Sequence, residues 1–184
     1  GAFCEALAEA LGAAQSLLPK WGEGVERSDW LEAEGETYFL ARGSALASCQ
    51  QARLLWEEAA KAPASAMTTG GFRHGPQEMV DNKIKVALWI DRNWMRDEDL
   101  ALASDIGRLG AHVMLIGENL RRDAADLVFC TPSSPAGWQF LIDVIPAQLC
   151  AERLSHIRGV DCDSFRVCPY IVEHEGGLVV AAQT

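Results

Sequence analysis

Lys85-Val86-Ala87-Leu88-Trp89-Ile90, then the amphipathic stretch from Asp97 to Leu109 stopped at Gly110, then His112-Val113-Met114-Leu115-Ile116-Gly117 set the fold class of this chain. Both short runs are apolar throughout instead of alternating, which is how strands read when each face of their sheet is covered. A helix between two such strands is the crossover that joins parallel neighbours.

The same grammar extends outward. Thr37-Tyr38-Phe39-Leu40-Ala41 is a short β-prone run; Arg42-Gly43 turns the chain, and Ser44 stands at an N-cap position before a helix reaching about Lys61. Asp126-Leu127-Val128-Phe129-Cys130 reads as a further strand, and Gly137 to Ile157 as one long apolar helix ending at Gly159. Pro63 to Phe72, rich in small residues, glycine and threonine, is expected to be irregular, leading into Arg73-His74-Gly75-Pro76. At the start, residues 3–18 form an amphipathic helix ended or bent by Pro19, with a second piece over Val25 to Glu34. The tail from Val160 to Arg166 reads as irregular, and Gly177 to Ala182 as a late strand or an ordered end. The resulting expectation is an α/β three-layer αβα sandwich on a mostly parallel sheet. Residues 1–35 form a helical segment packed on a domain at 36–159, and 160–184 a tail.

Composition narrows the function. With 184 residues, 49% of them hydrophobic, the chain is sized for one compact domain with a real core. A formal charge of -10 disfavours nucleic acid and anionic membranes as partners, since phosphate neutralisation needs concentrated Lys and Arg. The 6 cysteines contain no CxxC pair and mostly lie in apolar runs, the pattern of reduced thiols in a cytoplasmic protein. No run is long enough to span a bilayer. No His/Cys/Asp cluster has metal-ligand spacing; Cys162 between Asp161 and Asp163 reads as tail. Trp56, Trp89 and Trp138 read as packing residues.

A family resemblance emerges from ordered motifs: Leu40-Ala41-Arg42-Gly43, the helix ending Trp56-Glu57-Glu58, Arg73-His74-Gly75-Pro76, Ile145-Pro146-Ala147-Gln148-Leu149-Cys150-Ala151 and Arg158-Gly159-Val160-Asp161-Cys162-Asp163. Together they resemble the sugar-isomerase (SIS) domain family, in particular the second SIS domain in the isomerase half of glucosamine-6-phosphate synthase and its relatives. The resemblance implies a flavodoxin-like, five-stranded parallel sheet between helices. It also implies phosphosugar binding or chemistry at an interface between two such domains.

Carried over by motif, Glu58 matches the carboxylate that moves a proton between C1 and C2 of the open-chain sugar, and His74 the ring-opening histidine, which reaches a neighbouring subunit's site. A carboxylate serves as such a base when its pKa is raised towards neutrality, and imidazole titrates there already. Arg42, Gly43 and Ser44 form a strand-to-helix turn suited to an anion, and Arg73 lies beside His74 as a further substrate-binding residue. Glu57 points away and reads as surface. His112, His156 and His174 read as structural.

The implied ligand is a hexose 6-phosphate or amino-sugar phosphate. The implied partner is another SIS domain, upstream in the same chain or on a second subunit, with a homodimer expected. Acid–base chemistry of this kind calls for no cofactor and no metal. The implied function is a sugar-phosphate aldose/ketose isomerase or aminosugar-phosphate deaminase/deglycase; the alternative is a non-catalytic sugar-phosphate binding or dimerisation module. Some family features are missing. Asp91-Arg92-Asn93-Trp94-Met95-Arg96-Asp97 lacks the Ser-x-Ser-Gly-x-Thr phosphate loop, Leu55 and Gly71 replace a lysine and a glutamate, and the imine-forming lysine falls near Tyr170.

Overall fold

The computed structural model describes residues 1–167. Five parallel strands form a single sheet in the order β2-β1-β3-β4-β5: β1 Thr37–Ala41, β2 Ala64–Thr68, β3 Lys85–Trp89, β4 His112–Gly117 and β5 Leu127–Cys130. The helices are α1 Ala2–Arg27, α2 Leu46–Glu58, α3 Thr69–Phe72, α4 Arg96–Arg108, α5 Phe140–Asp143 and α6 Ile145–Ile157. The expected three-layer α/β architecture is therefore present, with every strand pair parallel.

The two-residue period of a strand divides the core. Phe39, Ala41, Ala87, Trp89, Met114 and Ile116 face a layer built from α1, α2 and α6; Tyr38, Leu40, Val86, Leu88, Val113 and Leu115 face the layer with α3 and α4. Trp56 of α2 is completely buried, edge-on to Phe39 at 4.8 Å between ring centroids and to Trp30 at 6.4 Å. Its Nε1 donates to Thr37 Oγ1 at 3.2 Å, so the one polar atom of the ring is satisfied. Lys85 opens β3 buried, with Nζ donating to the carbonyls of Ala33 and Gly35. Burial, and secondarily the charge of Arg158, pushes its ammonium down to about 8.

Several local expectations are corrected. Pro63 to Phe72 is not irregular: it supplies edge strand β2, in register from Thr37 against Ala64 to Ala41 against Thr68, and the short α3. Ala, Ser and Thr carry little β signal of their own, and pairing to β1 supplies what propensity does not. Thr68 Oγ1 accepts from Gly71 N at 2.9 Å and starts α3, whose Phe72 enters the core.

Pro19 does not end the first helix. Ala10, Ala14, Trp21 and Val25 lie on one buried face that spans it, and this burial offsets the missing hydrogen bond. The expected piece from Val25 to Glu34 is instead the end of α1 followed by a 3-10 turn, Trp30–Glu32, begun by Ser28 Oγ accepting from Trp30 N at 3.1 Å. The run from Gly137 to Ile157 divides into α5 and α6 because Pro146, at the start of α6, has no N–H to continue the ladder. Ser44 is not an N-cap; it lies in a 3-10 turn, Gly43–Ala45, ahead of α2, which ends at Glu58 and not at Lys61. Trp138 is 43% exposed, not a core residue, and touches Phe3 and Phe140. Gly177 to Ala182, Tyr170 and His174 lie outside the described residues. Among the described residues, no helix is long and apolar enough to cross a membrane.

Candidate functional site

The order β2-β1-β3-β4-β5 makes the chain leave β1 in one direction and β3 in the other. Such reversal opens a crevice beyond the carboxyl ends of the strands, where α/β sheets of this kind hold ligands. Here it is a crevice of about 170 Å³, with the Arg42–Ser44 turn on one side and Asp91–Asn93 on the other, closed by Glu118, Ser134, Gln139 and Asp143. Gly43 enters the turn at φ 53°, a left-handed value that favours glycine.

Asp99, in the first turn of α4 and wholly buried, ties the two loops together. Its Oδ1 accepts from Arg42 Nε at 2.7 Å and its Oδ2 from the backbone N of Asp91 at 3.1 Å. The amino end of α4 favours the negative charge. Arg92 is likewise occupied, its Nη1 3.1 Å from Glu118 Oε1 and 3.0 Å from the Ser134 carbonyl. Both guanidiniums at the crevice are thus held by carboxylates. Arg42→Met leaves Asp99 buried without its cation and is expected to lower stability by about 2–3 kcal/mol, read as a lower urea midpoint.

On the floor, Ser48 Oγ donates to Asp143 Oδ1, while Trp89 Nε1 donates to the Asp143 carbonyl at 2.9 Å. Burial pushes the Asp143 carboxyl from 3.8 up to about 7, only partly offset by the Ser48 hydroxyl. The folded state therefore holds a proton that the unfolded chain releases. This group's contribution is fully present below about pH 4 and is lost as pH rises to about 7. Lys85 titrates mostly above that window. Asp143→Asn keeps an acceptor for Ser48 and cannot ionise. Its stability relative to the parent should rise between pH 4 and pH 7 by several kcal/mol, about 4 at most; matched urea titrations at the two pH values check this.

Of the expected site residues, Arg42, Gly43 and Ser44 line the crevice, whereas Glu58, Arg73 and His74 fall outside it. Glu58 is the last residue of α2, at the end of the sheet where strands begin, and its side chain is exposed. Lys61, at φ 51°, folds back so that Nζ donates to the carbonyls of Glu58 at 2.6 Å, Asp161 at 3.1 Å and Ser164 at 2.6 Å; Arg158 Nη2 donates to the Lys61 carbonyl at 3.0 Å. The helix end carrying Glu58 and the Arg158–Asp163 motif, remote in sequence, are thus one local structure. Asp161, Cys162 and Asp163 converge there with ligand atoms within 4.8 Å of one another, but Asp161 Oδ1 already accepts from Asp163 N in the turn.

Arg73 and His74 follow β2 and α3 at the opposite end of the sheet, both exposed. Gly75, at φ 152° ahead of Pro76, forms the turn. The five residues of β2 alone separate the two ends by roughly 15 Å. One chain therefore does not bring Glu58 and His74 together. Glu57 is at the surface, paired with Arg53.

Motif reading did not reach Asp99, Asp143, Ser134 or Gln139. A lone Asp143 in the apolar run Phe140 to Ile145 is a visible signal. The burial of Asp99 has none, because Asp97, Glu98 and Asp99 look alike until α4 is placed against the sheet.

No family model matches the chain. A curated glutamine–fructose-6-phosphate aminotransferase (isomerizing) from Methanothermobacter thermautotrophicus is 26% identical over 130 residues, covering 68% of this chain and 22% of that protein. Among solved structures, the C-terminal domain of a glucosamine-fructose-6-phosphate aminotransferase from Francisella tularensis superposes with a TM-score of 0.73 at 20% identity, over 86% of this chain and 44% of that one. A tagatose-6-phosphate ketose/aldose isomerase from Escherichia coli gives 0.70 at 22% identity, over 89% and 46%. The chain spans about a fifth of the curated relative and less than half of either solved chain. Ordered motifs, sequence relatives and fold agree: the chain has the fold of the sugar-isomerase (SIS) domains and resembles the isomerase half of the glutamine–fructose-6-phosphate aminotransferases.

Proposed function

We propose that this domain is the half of a cytoplasmic phosphosugar isomerase or aminosugar-phosphate deaminase/deglycase that carries the acid–base residues, completed by a second SIS domain. The observation that carries the proposal is the helix end at Glu58. Its backbone is clamped by Lys61 to the Asp161–Ser164 segment, yet among the described residues the carboxylate has no hydrogen bond or ion pair. A fixed backbone under a free, exposed carboxylate suits a base presented to another domain.

In this reading Glu58 takes the proton from C1 or C2 of the open-chain sugar phosphate and returns it to the neighbouring carbon. His74, from another subunit, moves the proton needed for ring opening or for the leaving amine, and Arg73 beside it meets the anionic end of the substrate. The route needs no metal or redox partner. Lys61 does not replace the missing imine lysine, because its Nζ is engaged by three backbone carbonyls. The Arg42–Ser44 turn lines a separate crevice.

The opposite placement of Glu58 and His74 supplies a test. In full-length homodimers, Glu58→Gln and His74→Asn proteins should each be nearly inactive. Subunit exchange between them should restore about a quarter of parental turnover, since half the dimers are mixed and each mixed dimer has one intact site of two. Failure to restore activity removes the shared-site proposal. If neither substitution lowers turnover, or no hexose phosphate or aminosugar phosphate is converted, the domain acts instead as a binding or dimerisation module.

A further inference from the structure

Strand β5 ends the sheet and pairs with β4 alone. Thr131 N donates to the Gly117 carbonyl at 2.9 Å, so Thr131 and, two and four residues back, Phe129 and Leu127 turn their main-chain groups towards β4. Val128 and Cys130 therefore turn theirs outward, and among the described residues these N–H and C=O groups have no hydrogen bond. An edge with free main-chain donors and acceptors is a template for a further extended segment. Beside it runs a groove of about 530 Å³ between the second half of α1 and β5. Leu17, Trp21, Leu127 and Phe129 give it an apolar wall, and Val128 and Cys130 also line it. A strand laid along β5 would send every second side chain into this groove.

Charge selects the occupant. The carboxylates on the rim are engaged: Glu23 lies 3.3 Å from Arg27, and Asp126 accepts from the Val113 N–H at 2.7 Å. Lys20 and Arg122, also on the rim, are exposed and have no ion pair or hydrogen bond among the described residues. In a chain of formal charge -10 this groove keeps a local excess of cations. A second copy set edge to edge about a twofold axis would bring the same excess to the same junction, a like-charge arrangement that disfavours it. A segment bearing carboxylates meets Lys20 and Arg122 with opposite charge.

We propose that the β5 edge binds an extended segment of another protein as a sixth strand, apolar at alternate positions and flanked by carboxylates. Its main chain bonds to Val128 and Cys130, its alternate side chains pack against Leu17 and Trp21, and its carboxylates pair with Lys20 and Arg122. The surface shares no residue with the β1/β3 crevice or with the helix end at Glu58, and it does not depend on the acid–base reading.

The test is fluorescence anisotropy of the full-length protein with a labelled peptide, Asp-Asp-Val-Thr-Val-Thr-Val-Asp, and with a counterpart carrying Lys at each Asp. The acidic peptide should bind, and the basic one at least about tenfold more weakly. Arg122→Glu and Lys20→Glu should each weaken the acidic peptide about tenfold. Val128→Pro removes an outward N–H and leaves the bonds to β4 in place, a position where an edge strand tolerates proline. It should weaken binding at least about tenfold with the far-UV circular dichroism unchanged. If that variant does not fold, the two charge reversals decide. The proposal is overturned if the acidic peptide does not bind, if the basic one binds as well, or if the charge reversals leave the affinity unchanged. It is also overturned if the protein self-associates and Val128→Pro dissolves the dimer, since a second copy then holds the edge. Glu58→Gln should leave peptide binding intact, so loss of turnover in that variant reports on the acid–base site alone.

Discussion

Replacing Glu58 by Gln in the full-length protein is expected to lower kcat by about 10³-fold, with the urea midpoint unchanged or slightly raised. The two halves of that expectation have different origins. The kinetic loss follows because an amide can neither accept nor return the proton that C1/C2 transfer requires, and positioned general bases contribute on that scale. The neutral stability follows from position: the side chain is exposed, without a partner among the described residues, at the carboxyl end of α2. A negative charge there opposes the helix dipole, so removing it cannot destabilise through that term. A structural glutamate would behave oppositely, losing stability while sparing turnover. Steady-state kinetics with matched denaturation curves separates the two.

The second large effect is on the fold. Trp56→Ala should cost about 3–5 kcal/mol, a large part of the stability of a domain this size, and Trp56→Phe much less. Alanine opens a cavity between Phe39 and Trp30 at the centre of the larger core and leaves Thr37 Oγ1 without its donor. Phenylalanine keeps most of the aromatic contact and loses only the hydrogen bond and part of the ring. Because Trp56 lies two positions before Glu58 on the same helix, the alanine variant should also lose turnover through misplacement of that carboxylate. The phenylalanine variant should retain most of it. Urea midpoints and kcat measured on both variants decide whether the two losses track one another.

The sheet was legible where strands are buried on both faces. Lys85 to Ile90 and His112 to Gly117 announce themselves because a strand covered above and below has no polar alternation, and β3 and β4 lie there. β2 was not legible. It is an edge strand of small residues, half covered, and its structure comes from hydrogen bonds to β1 instead of from its own side chains. The same physics misplaced α1: a proline reads as a stop in isolation, but burial of Trp21 and Val25 beyond it carries the helix on.

For function, sequence alone determined the α/β class, the parallel sheet and the ordered motifs that resemble a SIS domain, since these depend on local periodicity and on residue type at fixed intervals. The tertiary structure alone decided that Glu58 and His74 stand at opposite ends of the sheet. It also decided that Lys61 fastens the Glu58 helix end to the Asp161–Ser164 segment, and that Asp99 ties Arg42 to the backbone at Asp91. The last two pair residues far apart in the chain. Spacing along a sequence constrains neighbours within a turn or a strand, whereas the partner of a charge or of an orphaned hydroxyl is set by which loops the strand order brings side by side.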